Sequence, residues 1–450
     1  MGPIVKGDGA GSPQEAAVGS ACRVLGAFEK PGGESIIPCR LLSLRGCGYC
    51  RMVSPVRSLA HRFAILVLVI FLAAYAGKCL YSIWANLRIG DIWSNDFFAI
   101  WSFAKFPVGD HAVNIYDRSI LQEFQESLGS TPTVHLPFSY PPSFLLLIIP
   151  FGVMGYYAAY GAWILGTFAF YFLVSWHREW PRSATFIVVF APAMILTFVY
   201  GQTGFLTSAL IIGGFRFADR RPVLSGILFG LTSIKPQLGI LIPIALISAR
   251  LWRTAAAAGV TVLVLILTSS TAFGWSIWPL WLSQLLGHAD WAATTKPQYM
   301  PTIVANLTFL GVAVTVARVI QLIAAVAVAG IIWLCFRGGV TNLGTSTLLV
   351  GTFLAAPYAF VYDMPMVTNA ILAVAHDKQR MHRPLSIPEA FILVFSLILP
   401  MLMVETWRPG AIRSVPLILL FGLIVWHIVR ARFGNAESRA VRPEESISIR

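Results

Sequence analysis

The sequence predicts an all-α polytopic membrane protein, on three observations. Hydrophobic residues make up 57% of the 450 positions against 12% charged, with a mean hydropathy of +0.73, too little polar residue to clothe a soluble globule. The apolar residues run continuously, as from Phe63 to Tyr75 and Ala255 to Leu267, and not in the roughly ten-residue alternating segments of a β-barrel. The basic residues behind the net charge of +13 fall in short clusters between those runs. That is the positive-inside pattern, so the excess charge reads as topology and not as a nucleic-acid surface.

Residues 1–55 are rich in Gly, Pro and Ser and are expected as a disordered cytoplasmic tail, with Met52 offering an alternative translation start. Cys47 and Cys50 form a CxxC that, with Cys22 and Cys39, would supply four zinc ligands, but the spacing of the other two is irregular. A reduced tail with no metal is the expectation. The membrane domain is expected over 56–432, followed by a second disordered cytoplasmic tail over 433–450. Its first span, 63–84, is too long for a signal-peptide core and lacks a small-residue cleavage site, so it reads as an uncleaved anchor with Lys78 snorkelling outward.

A polar interval from Asn86 to Pro142 comes next, carrying Asp91, Asn95 and Asp96, then Asp110, Tyr116 and Asp117, then Tyr140, Pro141 and Pro142. A long loop with clustered carboxylates at the bilayer edge needs a reason. Residues 141–154 are apolar but short, and read as a re-entrant or interfacial helix. Further spans are expected at 156–176, 184–200, 203–217, 222–234, 237–250, 254–273, 314–336, 343–361, 364–376, 386–404 and 413–430. Counting the first, about twelve spans keep most of the 33 Lys and Arg inside, whereas a full span at 141–154 would export most basic loops.

Several of these spans are only 13 to 15 residues, below the roughly 20 needed to cross about 30 Å of hydrocarbon. Breaks are expected at Gly201-Gln202, at Lys235-Pro236 and at Tyr362-Asp363, all on the outer side, and broken segments commonly line a cavity. Phe273 to Thr302 is expected as an outer loop, aromatic through Trp275, Trp278, Trp281, Trp291 and Tyr299, and carrying His288, Asp290 and Lys296. Such rings suit the headgroup interface or a sugar face.

The unusual polar residues therefore converge on one side from separate spans. A carboxylate there can take a proton from an acceptor hydroxyl, while a lysine stabilises charge on a departing phosphate. Asp96 fits the general base, or an N-cap for the Phe97 to Phe103 run. Lys235 fits a phosphate ligand, or a snorkelling interface residue. Gln202 fits a substrate contact or a partner for freed carbonyls at its break. Asp363 fits a cap on the following helix or a substrate contact, and His288 a solvated or a chemical role. Tyr116-Asp117 reads as shaping the loop.

The order Asp96-Phe97, Tyr116-Asp117, Tyr140-Pro141-Pro142 leading to Pro150, Gly201-Gln202, then Gly226, Gly230 and Lys235-Pro236-Gln237 resembles glycosyltransferase family 87, of the GT-C class, which includes mannosyltransferases. The similarity covers about residues 60–375. It implies a GT-C-like helical bundle with a long first periplasmic loop in a bacterial inner membrane. It also implies an inverting transferase that moves a sugar from a polyprenyl-phosphate-sugar donor to a glycolipid or glycan acceptor on the periplasmic side, without nucleotide or other cofactor. Asp96 would be the catalytic base, with Lys235, Gln202, His288, Lys296, Tyr140 and Asp363 binding donor phosphate or substrate. The competing class is a membrane transporter or lipid flippase, which broken helices and a buried lysine suit equally well.

Overall fold

The computed structural model describes residues 70–79, 81, 96–107, 112–131, 136–177, 180, 182–381, 383–404 and 413–440. The leader with its CxxC, Asp91, Asn95, Asp110 and most of the interval between the first span and Asp96 lie outside them. Among the described residues there is no strand.

The chain enters on α1 (Ile70–Cys79). The interval after it is not a plain loop. It holds α2 (Phe97–Lys105), a 3-10 turn (Ala112–Tyr116) and α3 (Arg118–Ser127). Asp117 caps α3 by accepting the amides of Ser119 (2.9 Å) and Ile120 (3.2 Å), so the Tyr116-Asp117 pair does shape this region. The short apolar stretch after Pro141-Pro142 is α4 (Ser143–Gly152), laid against α2 so closely that a Cβ on Gly152 would stand 2.2 Å from the Ala104 carbonyl oxygen.

The bundle continues with α5 (Tyr156–Ser175), α6 (Arg182–Phe190), α7 (Pro192–Tyr200), α8 (Gly204–Phe217), α9 (Pro222–Leu231), α10 (Pro236–Gly239), α11 (Ile242–Ser248) and α12 (Trp252–Phe273). Proline opens α7, α9 and α10, where its missing N–H has no partner to lose. Gly226 and Gly230 let α9 lie directly on α12; a Cβ at either would meet α12 at 2.5 Å, on Thr254 O or Ala257 Cβ and on Thr261 Cβ.

Beyond them stand α13 (Ile277–Thr295), α14 (Ile303–Phe309), α15 (Val314–Phe336), α16 (Asn342–Ala355), α17 (Pro365–Arg380), α18 (Ile387–Val404) and α19 (Val415–Ala440). The expected outer loop from Phe273 to Thr302 is thus mostly helix: Pro279, the one proline within α13, sits in its first turn, where it breaks nothing, and Trp278 and Trp281 pack against the α2–α4 core. The expected span 343–361 stops at Ala355, because Pro357 disfavours helix at Ala356, and an extended stretch leads into a 3-10 turn, Val361–Asp363.

Four helices among the described residues are long and apolar enough to cross a bilayer: α5, α12, α15 and Val415–Arg432 of α19. The charge pattern predicts about twelve. Several of the shorter apolar helices begin or end at expected breaks: Ala184–Tyr200 and Gly204–Phe217 at Gly201-Gln202, and Pro222–Ile234 and Pro236–Ser248 at Lys235-Pro236. Exposed apolar side chains such as Val260, Leu263, Leu322, Ile323 and Val326 cover the outside of α12 and α15, while buried serines and threonines bond helix carbonyls inward.

The two ends of the bundle differ. At one, Arg216 donates to the Val174 and Trp176 carbonyls, Arg432 to those of Leu334 and Cys335, and Lys378 pairs with Glu389 at 2.7 Å. At the other lie the three helix breaks, α2–α4 and α13.

Candidate active site

Three helix breaks meet at that second end, and contacts between them hold them together. Gly201 ends α7 in the left-handed region (φ +66°), against Phe97 and Tyr160; a Cβ there would be 2.5 Å from Phe97 Cβ. Gly204 opens α8 so close to the Tyr362 carbonyl that a Cβ would be 1.7 Å from its oxygen. That same oxygen accepts the Thr197 hydroxyl at 2.9 Å, which seats the Val361–Asp363 turn on the α7–α8 break.

The break at Lys235 is tied to that turn. Lys235 Nζ stands 2.7 Å from Asp363 Oδ1, with side chains only 6% and 1% exposed, and Asp363 Oδ2 accepts the Phe360 amide at 3.2 Å. Asp363 therefore caps nothing on α17, whose N-cap position is Met364; it binds back across its own turn. The Lys235 ammonium also lies 5.0 Å from the Tyr362 ring centre and 5.9 Å from that of Tyr140.

Asp96 comes from the loop end of α2. It occupies the N-cap position, but its backbone is helical (φ −59°, ψ −20°) and its carboxylate caps nothing. Instead Asp96 Oδ2 accepts from Gln202 Nε2 at 3.2 Å, and Gln202 Oε1 accepts from the Tyr140 hydroxyl at 3.3 Å. Gln202 is thus spent on orienting side chains and not on freed carbonyls. Burial pushes the Asp96 carboxyl above its ordinary range, against the pull of the Gln202 amide and of the Lys296 and Lys235 charges. Burial also drives the Tyr140 phenol far up, so it stays a neutral donor.

Tyr140 is fixed from behind. Its ring stacks on Phe144 at 4.1 Å, and its carbonyl accepts the Tyr116 hydroxyl at 2.8 Å. Gln284 on α13 donates to the Tyr116 carbonyl at 3.0 Å, and Trp281 to that of Ser139 at 3.3 Å, so α13 is tied to the Tyr116 turn and to the residue before Tyr140.

Asp96, Tyr140, Gln202, His288 and Lys296 line one open cleft of about 320 Å³, a size that suits a small ligand. Lys296 is exposed there, at the end of α13. His288 lies between Trp291 and Tyr358, with ring centres 5.5 and 5.4 Å away, and burial holds its imidazole down at about 4, hence neutral near pH 7. Lys235 lies in a smaller cavity behind the Tyr140 and Tyr362 rings, and Asp363 is buried beyond it. Five of the seven expected residues thus share the cleft wall, and the other two form an ion pair next to it. Sequence reasoning missed Tyr200 and Phe360 in the wall and named Tyr362 only as part of the third break; the alternation Tyr358, Phe360, Tyr362 was the available signal. Among the described residues no cluster of His, Cys, Asp or Glu could hold a metal.

Residues 138–361 match the model of glycosyltransferase family 87, which bears out the resemblance carried by Tyr140-Pro141-Pro142, Gly201-Gln202 and Lys235-Pro236-Gln237. No curated protein and no solved structure matches the chain. Asp96 precedes the matched segment and reaches it through Gln202. Nothing here adds support to a transporter.

Proposed function

We propose that this chain, a glycosyltransferase of family 87, is an inverting enzyme that takes a sugar from a polyprenyl-phosphate carrier and adds it to a hydroxyl of an envelope glycolipid or glycan, with Asp96 as general base. The observation that carries the reading is Asp96 itself. A half-buried carboxylate with a raised proton affinity, aimed by Gln202 and standing in a cleft with the exposed ammonium of Lys296, is equipped to accept a proton beside a developing anion.

The reaction balances in one displacement. The acceptor O–H gives its proton to the Asp96 carboxylate as its oxygen forms a bond to the anomeric carbon, and the bond from that carbon to the phosphate oxygen breaks on the opposite face. The polyprenyl phosphate leaves with the electron pair, its charge met by Lys296. Lys235, already neutralised by Asp363, holds the Tyr140 and Tyr362 rings in place and adds a weaker field. Tyr140, Gln202 and His288 supply neutral hydrogen-bonding groups to the sugar hydroxyls.

The two ends of the bundle support a sidedness for this reading. Arg216, Lys378 and Arg432 gather at the end away from Asp96, and the positive-inside rule puts that end in the cytoplasm. The cleft then opens to the periplasm of a bacterial inner membrane, within reach of a carrier whose tail stays in lipid. About twelve spans, counting the interrupted ones, fit this arrangement.

Transfer of tritiated sugar from membrane polyprenyl-phosphate pools, compared between the wild type and equally expressed Asp96→Asn, tests the reading. Loss of transfer by about 10²- to 10⁴-fold with donor still bound is expected. Transfer undiminished in Asp96→Asn would remove Asp96 from the chemistry, and a wild type that uses no polyprenyl-linked donor would remove the function.

A further inference from the structure

A transferase needs two substrates at one carboxylate, and the cleft around Asp96 is sized for one. A second groove, about 430 Å³, opens beside it between α3 and the end of α13. Leu136, Pro137, Trp291 and Lys296 line both hollows, so the two adjoin, with Asp96 in the inner part. The floor of the outer part is built firmly. Gln125 is 1% exposed and donates to the Ser102 hydroxyl and the Leu136 carbonyl, both at 3.1 Å, which ties α3 to α2 and to the shared wall.

The chemistry of the groove differs from that of a lipid-facing surface. Arg118, Gln122 and Thr295 give it amide, hydroxyl and guanidinium groups, and the Trp291 indole gives it a flat face. Among the described residues that line it, none is a carboxylate. Hydrogen-bonding groups across from an indole are what a pyranose ring requires, since its edges carry hydroxyls and its faces carry C–H bonds. Arg118, a cation that the donor phosphate does not use, with no lining acid favours a chain that also bears negative charge.

We propose that this groove is the acceptor subsite, holding an anionic carbohydrate chain whose reacting end enters the Asp96 cleft past Trp291. The proposal rests on the transferase reading above and adds to it which face of the protein the acceptor occupies. The donor, by contrast, takes the inner cleft, with its phosphate on Lys296 and its tail in lipid.

Two variants fill the groove from opposite walls, Thr295→Trp on α13 and Gln122→Trp on α3, and neither residue lines the Asp96 cleft. The probe is the polyprenyl-linked pool of native membranes labelled with tritiated nucleotide sugars. Two quantities are read: label incorporated into endogenous glycolipid and glycan, and retention of the extracted labelled carrier lipid by purified protein. At least a tenfold fall in incorporation in both variants, with carrier retention within twofold of wild type, is the expected result. Incorporation unchanged in both overturns the acceptor subsite while leaving the transferase intact. Carrier retention that falls in step with incorporation assigns the groove to the donor and overturns it too. If the wild type itself incorporates nothing, the transferase reading fails and the subsite fails with it.

Discussion

Lys235 and Asp363, 128 positions apart in the chain, form a buried ion pair with Nζ 2.7 Å from Oδ1, and that pair locks two helix breaks together beside the cleft. Breaking such a pair strands a charge out of water. Asp363→Asn or Lys235→Met alone is therefore expected to cost about 3–5 kcal/mol, whereas Lys235→Met with Asp363→Leu together recovers most of the loss. Thermal unfolding in detergent checks this. Single variants no worse than the double would show that the pair contributes nothing to holding the breaks.

The hydrogen bond from Gln202 to Asp96 predicts a pH effect. A base must be ionised to act, so activity rises with pH as Asp96 loses its proton, with a midpoint above the ordinary carboxylate range because burial raises it. Gln202→Glu replaces a donor by a second carboxyl at the same place and pushes that midpoint higher. The pH profile of kcat in the two proteins is the measurement; superimposable ascending limbs would separate Gln202 from the base.

His288 predicts a stability effect of the opposite kind. Its folded value, about 4, lies below the unfolded 6.5, so the folded state favours the neutral ring. The stability this contributes is present above pH 6.5 and is lost as pH falls towards 4. His288→Gln lacks that component, and its unfolding midpoint relative to wild type should improve steadily from pH 7 to pH 4. Parallel pH dependence in the two would contradict it.

The contact of Gly204 with the Tyr362 carbonyl predicts steric intolerance. Gly204→Ala must move the Val361–Asp363 turn, at an expected 1–3 kcal/mol or more, roughly as for other overpacked sites. Gly259→Ala, in the middle of α12 with nothing within 4 Å of the added methyl, should be neutral or stabilising by about 0.5–1 kcal/mol. Comparable yield and melting temperature in the two alanine variants would show that the turn yields freely.

The amino-acid sequence by itself determined the class of the protein, because continuous apolar runs admit only membrane helices, and it carried the resemblance to glycosyltransferase family 87; it also determined the three breaks, because Gly201, Pro236 and the residues around Asp363 interrupt those runs locally. It marked Asp96, Gln202, Tyr140, His288 and Lys296 as unusual polar residues on one side. It could not say what each side chain touches. Asp96 fits a general base or a helix cap, and its carboxylate binds Gln202 and caps nothing; Asp363 fits a cap or a substrate contact, and holds Lys235; Phe273 to Thr302 reads as a loop and is mostly helix. For the two carboxylates, local propensity lost to a partner far away in the chain. Only the tertiary structure decides such pairings, since a buried charge or amide takes whichever complementary group the packing of distant helices brings within about 3 Å.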